Sequence, residues 1–345
     1  MPESAEALNG LRDGLMREFE RSVVRLPESA APALLVVIDT EEEFDWRQPF
    51  DRHRHSVDAL DDLPRAQDLF ETFGIVPVYA VDYPVAANPD KAARLRGYVT
   101  SGRAIVAAQL HGWVTPPFDE ALSRANSYQR NLPPALERAK LETLVARVTD
   151  SFGTRPVIHK AGRYGIGPAT PGIIDDLGFE IDLSICPSFD GRRDGGPDHS
   201  AYSADPFRFG PGGRLLQLPS TAGYCGALAA IGSPLHGIVA SPLLERARVK
   251  AAFSGMGLLE RIRLSPEGHS LEDLKRLTHR LLGGGTRVLT FSFHSPSLRP
   301  GCTPYVKSER DLAQLLTTCR AYFEFFRDEI GGRFSTPFEV RDLLQ

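Results

Sequence analysis

Residues 33–39 read ALLVVID. The run is apolar, too short for a helix and rich in β-branched residues, so it reads as a strand buried on both faces, the kind that parallel sheets contain. It ends in acid, and the chain continues as IDTEEEFDW (38–46). Working outward, further runs of this type recur at IVPVYAV (75–81), AIVAAQL (104–110), PVIHK (156–160), IDLSI (181–185), RLLQLP (214–219) and RVLTFSFH (287–294). Helix-like stretches separate most of them: apolar stripes at 63–73, stopped by Gly74, and at 136–151, 271–282 and 308–328. The alternation predicts a β/α fold with a largely parallel sheet. Seven such strands fit a closed or nearly closed barrel. An open doubly wound sheet also fits the alternation, but no G-x-G-x-x-G follows the first strand and no G-x-x-x-x-G-K-[ST] occurs.

The flanks add little chemistry. Leu8, Leu11, Leu15 and Phe19 recur at helical spacing, which predicts an amphipathic leader helix over 5–22. Residues 1–30 are accordingly expected as a helical leader and 31–345 as one barrel domain. The polar, Gly/Pro-rich stretch 186–213 is expected as a long loop, the sort that borders enzyme sites. The chain has 345 residues, 42% of them hydrophobic and 24% charged, with a net charge of -4. This composition excludes a disordered acidic protein and a basic nucleic-acid binder. The longest aliphatic run, Leu34 to Ile38, is far short of the roughly 20 apolar residues of a membrane-spanning helix. The opening MPESAEALNGLRDGLMREFE lacks the basic region and apolar stretch of a secretory signal, so a cytoplasmic location is expected. Cys186, Cys225, Cys302 and Cys319 are scattered without a C-x-x-C pair, so reduced thiols are the expectation.

In parallel β/α folds reactive groups collect at the C-terminal ends of strands. Here those ends carry Asp39, QLHGWVTPPFDE, HKAGRYG and FSFHSPS. Asp39 and Glu41 are two apart in an extended segment, so both carboxylates point to one side and can share a site, one on a metal and the other handling a proton. A solvated acidic loop is the structural alternative. His111 offers an imidazole that suits zinc or a similar divalent ion, or else is a structural histidine. His294, followed by Ser295 and Pro296, ends its strand at the mouth, where an imidazole can serve as a general acid or merely anchor a loop. Trp46 and Trp113 lie in the same segments as candidate sugar platforms, with core packing as the alternative.

IDTEEEFDW, QLHGWVTPPFDE, KAGRYG, FSFHSPS and GCTPYV, in this order over about 34–340, resemble the polysaccharide deacetylase superfamily (NodB homology, carbohydrate esterase family 4). More narrowly they look like its bacterial branch associated with surface-polysaccharide clusters. The resemblance implies a distorted (β/α) barrel, with Asp39 as base and Glu41 as metal-binding acid. Its second motif normally offers two metal-binding histidines four apart; this chain has only His111, with Gln109 near the place of the first. The third motif falls on Tyr164-Gly165, and either Lys160 or Arg163 is expected to brace Asp39. The fifth motif's acid falls on His294, and Asp182 matches the fourth only loosely. The implied activity is metal-dependent removal of an N-acetyl group from a sugar or glycan precursor, Gln109, Trp46 and Trp113 contacting it. Zinc is the expected ion, with cobalt, nickel or manganese as substitutes, or no ion at all. No nucleic acid or membrane partner is expected. Two other readings remain: a barrel that has lost its metal and binds a sugar or partner without turnover, and a hydrolase of another non-peptide C–N bond.

Overall fold

The structure is a computed structural model, and it describes residues 21–44, 48–53, 55–229 and 258–344. All seven expected strands form: β2 (Ala33–Thr40), β3 (Val78–Val81), β4 (Ile105–Leu110), β5 (Ile158–Ala161), β6 (Ile181–Asp182), β8 (Leu215–Gln217) and β11 (Val288–His294). They pair in parallel in the order β11-β2-β3-β4-β5-β6-β8. Beyond β8 the sheet continues antiparallel through β7 (Phe207–Phe209) to β1 (Arg21–Val23). β12 (Arg333–Phe334) pairs with the start of β2. The seam between β8 and β11 is bridged by an antiparallel ribbon of β9 (Ala222–Cys225) and β10 (Glu260–Arg263). Leu264 donates to the Thr221 carbonyl at 2.8 Å and accepts from Ser292 N–H at 3.1 Å. The result is a distorted barrel, closed partly by ladder and partly by ribbon.

Two layers of core follow from the two-residue period of a strand. Ala33, Leu35 and Val37 meet Val78, Ala80, Ala107, Ile158, Ile181, Leu216 and Val288 inside the barrel. Leu34, Val36 and Ile38 instead face the helices, with Tyr79, Val106, Leu289, Phe291 and Phe293. These outer residues pack against α1 (Pro64–Thr72), α4 (Pro134–Phe152), α6 (Leu271–Gly283) and α7 (Glu309–Glu324). Both α6 and α7 begin with a complete capping box, at Ser270 and Ser308. Gly74, at φ +66°, ends the run after α1 in the left-handed conformation a side chain would oppose.

Two expectations change. Residues 1–20 lie outside the described residues, and the last two positions of the expected leader helix, Arg21 and Ser22, are in β1, pinned as an edge strand to β7. The stretch 186–213 is not wholly loop: Phe207–Phe209 forms β7, because Phe207 and Phe209 alternate with Arg208 and bury both rings.

Candidate active site

Extending the inward phase of each strand by one step past the apolar core places a polar group at the top of the barrel. On β2 it is Asp39, on β4 Gln109, on β5 Lys160 and on β11 His294, with Glu41 and His111 continuing the same phase just beyond. They line one cavity of about 480 Å³. Register brings them together: Asp39 lies opposite His294, and Gln109 opposite Lys160.

Lys160 Nζ donates a short charged hydrogen bond to Asp39 Oδ1, and both residues are buried. The basic brace on Asp39 is therefore Lys160. Arg163, the other candidate, does not reach it: its guanidinium donates to Asp194 at 3.1 Å and lies 3.9 Å from the Tyr128 ring centre, at the cavity wall. The inward phase through Ile158 already separates the two, since Lys160 shares it.

His294 Nε2 lies 3.7 Å from Asp39 Oδ2, too far for a hydrogen bond and near enough that both groups face one gap. Its Nδ1 meets Glu267 Oε2 at 2.7 Å, while its N–H donates to Glu267 Oε1 at 3.2 Å. Burial opposes the imidazolium, yet Glu267, Glu41 and Asp39 together raise the His294 pKa to about 10. Glu267 is pushed up by burial but held below its ordinary value by His294 and by the Ser297 hydroxyl. No sequence pattern marked this partner of His294.

The second imidazole is set differently. His111 Nδ1 meets Glu42 Oε2 at 2.7 Å, and the Trp113 ring stacks on it at 4.3 Å and 21°. Trp113 Nε1 donates to Glu42 Oε1 at 2.8 Å. Trp113 is thus buried support for His111 and not a sugar platform; Trp46 lies outside the described residues. Glu42 is further fixed by its N–H, which donates to Asp82 Oδ2 at 2.8 Å. Burial lifts the Glu42 pKa to about 7 and raises that of Asp82 well above its ordinary value. Gly162 is where the chain passes this ring: a Cβ there would stand 2.3 Å from His111 Cδ2. The loop 111–120 is clamped from α4 by Lys140, whose Nζ donates to the carbonyls of Gly112, Thr115 and Pro117 at 2.9, 2.7 and 2.6 Å.

Gln109 joins the two halves. Its Nε2 donates to Glu41 Oε2 at 2.8 Å and to His111 Nε2 at 3.0 Å, which makes Nδ1 the protonated nitrogen of His111. Glu41 Oε2 and His111 Nε2 are 3.4 Å apart, about the separation of two donors on one tetrahedral ion with bonds near 2.1 Å. Gln109 Oε1 is buried with no hydrogen-bond partner. Reversing that amide leaves Oε1 as a third donor facing the other two, so the residues fit a divalent cation in that arrangement. In the arrangement seen, the amide N–H group satisfies both acceptors by itself. Donor atoms of Asp39, Glu41 and His294, and of Glu42, Asp82 and His111, also cluster within 4.8 Å.

Tyr164 lines the cavity at φ +59°, following Arg163 at +55°, so the KAGRYG turn holds two side chains in the left-handed region, an unfavourable conformation found mostly at functional turns. Asp182 does not enter the cavity. It accepts from His159 Nδ1 at 2.6 Å and from the Ser184 hydroxyl at 2.6 Å, bracing the end of β5 from behind.

No family model matches the sequence, and no curated protein matches it. Solved structures do resemble it. A protein of Mycobacterium smegmatis described as a polysaccharide deacetylase is 16% identical over 94% of this chain and 95% of its own, with a TM-score of 0.57. Puue allantoinase is 15% identical over 90% of this chain and 89% of its own, with a TM-score of 0.54. This chain therefore shares its fold with that deacetylase and with the allantoinase.

Proposed function

We propose that the protein hydrolyses a carbon–nitrogen bond other than a peptide bond, and that its substrate is an N-acylated sugar or glycan precursor of surface-polysaccharide metabolism. The observation that carries the reading is the pairing across one gap of a braced carboxylate, Asp39, with an imidazolium, His294. Amide hydrolysis needs a proton taken from water and a proton given to the departing amine, and the two groups supply one each.

Asp39 Oδ2 takes the proton of the attacking water, while Lys160 on Oδ1 orients the carboxylate. His294 Nε2–H gives its proton to the amine nitrogen, and Glu267 on Nδ1 keeps the ring charged and aimed. A backbone N–H near Tyr164, a residue lining the cavity, would orient the acyl oxygen. A divalent ion held by Glu41, His111 and Gln109, most suitably zinc with cobalt, nickel or manganese as substitutes, would supply Lewis acidity and a more acidic water. The four cysteines are all free thiols, which accords with a cytoplasmic location.

The test is release of acetate from N-acetylated sugars, with and without added zinc, by the full chain. Turnover is expected to fall by roughly 10²–10⁴ in Asp39→Asn with substrate affinity retained. Sugar binding without turnover under every metal condition supports a non-catalytic barrel instead. Turnover of a cyclic amide but of no sugar retains the chemistry and replaces the substrate, a reading that the likeness in fold to an allantoinase favours.

A further inference from the structure

Arg261 and Arg263 are two apart on β10, so their side chains leave the same face of the strand while Ile262 between them is fully buried. Arg263 lines the catalytic cavity together with Tyr164 and Tyr305, its guanidinium beside the Tyr164 hydroxyl. Among the described residues no carboxylate lies within 4.0 Å of either guanidinium. Among the described residues Arg261 donates only to Cys186 Sγ, at 3.6 Å, and its buried Nε has no partner there. Glu267, a carboxylate whose charge acts on Arg263, is already taken by His294 and Ser297. Lys160 and Arg163 in the same cavity are matched by Asp39 and Asp194. A guanidinium stays charged at every accessible pH, and a permanent cation withdrawn from water without a counter-ion is unfavourable unless a ligand supplies one.

We propose that β10 carries an anion subsite: Arg263, backed by Arg261, binds a carboxylate or phosphate on the substrate while the scissile amide lies between Asp39 and His294. Resting on the N-acyl sugar reading for its other half, this narrows the substrate class to acidic N-acyl sugars, such as a sugar phosphate or a sugar acid. Arginine suits the task because its planar fork meets either oxyanion with two parallel hydrogen bonds, and the Tyr164 hydroxyl adjoins as a third donor.

The experiment is calorimetric titration of the full-length protein with N-acetylglucosamine, N-acetylglucosamine 1-phosphate, N-acetylmuramic acid, pyrophosphate and malonate. At least one charged sugar is expected to bind at least about tenfold more tightly than the neutral one, and which one leads distinguishes phosphate from carboxylate. Arg263→Met is expected to bring charged and neutral sugars to the same affinity, while Arg263→Lys retains part of the preference. Should Arg263→Met fail to fold, the wild-type comparison and the lysine variant decide. Equal affinity for charged and neutral sugars, persistence of the preference in Arg263→Met, or no binding of any probe overturns the subsite. Binding of pyrophosphate or malonate that Arg263→Met loses, with no sugar bound, upholds the subsite and overturns the sugar reading.

Discussion

His294 and His111 make the same local contact, Nδ1 to a glutamate oxygen at 2.7 Å, and differ in everything around it. His294 keeps 26% of its side-chain surface accessible and turns Nε2 toward Asp39; His111 keeps 3%, lies under Trp113 and turns Nε2 toward the Gln109 amide. One ring therefore sits in a negative field that keeps it protonated, and the other serves as an acceptor whose lone pair is already engaged. A shared carboxylate–imidazole motif thus does not define a role. The group facing the other nitrogen does, so a single barrel mouth holds a charged imidazolium beside an imidazole that accepts a hydrogen bond.

The comparison breaks most visibly under alanine. His294→Ala is expected to cut turnover by roughly 10²–10⁴ while shifting the melting temperature little, because it removes a partly exposed proton donor. His111→Ala should instead lower stability by about 1–3 kcal/mol, since it leaves the buried Glu42 and the Gln109 amide short of partners. Melting curves and initial rates on both variants distinguish the two; equal losses of turnover at unchanged stability would show the rings to be equivalent.

A smaller effect sharpens the electrostatic half. The His294 pKa lies near 10 in the folded protein, above its ordinary value near 6.5, so its contribution to stability is fully present below 6.5 and lost as pH rises through about 10. Turnover that needs the imidazolium should fall over the same alkaline range. Glu267→Gln removes the strongest charge holding the proton, so the alkaline limb of the rate profile is expected to move toward lower pH. A limb that stays in place would show that Glu267 does not set the ionisation of His294.

The smallest effect concerns Gln109. Replacing its amide by an imidazole adds a stronger donor beside Glu41 and His111, so Gln109→His should tighten zinc binding by about tenfold or more in a competition titration, whatever happens to turnover. An unchanged zinc affinity would mean that the side chain at 109 does not join an ion held by Glu41 and His111.

Much of this geometry was legible along the chain because a strand has a strict two-residue period. ALLVVID marks the strand and its acidic end, and once the structure shows that Leu35 and Val37 face inward, the same counting reaches Asp39, Gln109, Lys160 and His294. The seven runs and the helices between them likewise needed only local periodicity. What the counting could not supply were partners brought from distant segments. Glu267, 27 residues before His294 in a loop with no pattern, becomes its counter-ion only through the ribbon that bridges the barrel seam. Lys140 shapes the His111 loop from a helix 25 residues downstream of Thr115. Trp113 and Arg163 stand in motif segments, yet packing turned the first under His111 and the second onto Asp194.

The strands and the polar groups that end them can be read from the sequence alone, because short apolar runs that stop at a polar residue are a local signal. The tertiary structure was needed to show that Lys160 and not Arg163 pairs with Asp39, that Glu42 and Glu267 each claim one histidine, and that among the described residues no carboxylate pairs with Arg263 within 4.0 Å. Charge pairing depends on distances of a few ångströms between segments far apart in the chain, and those distances exist only once the barrel closes.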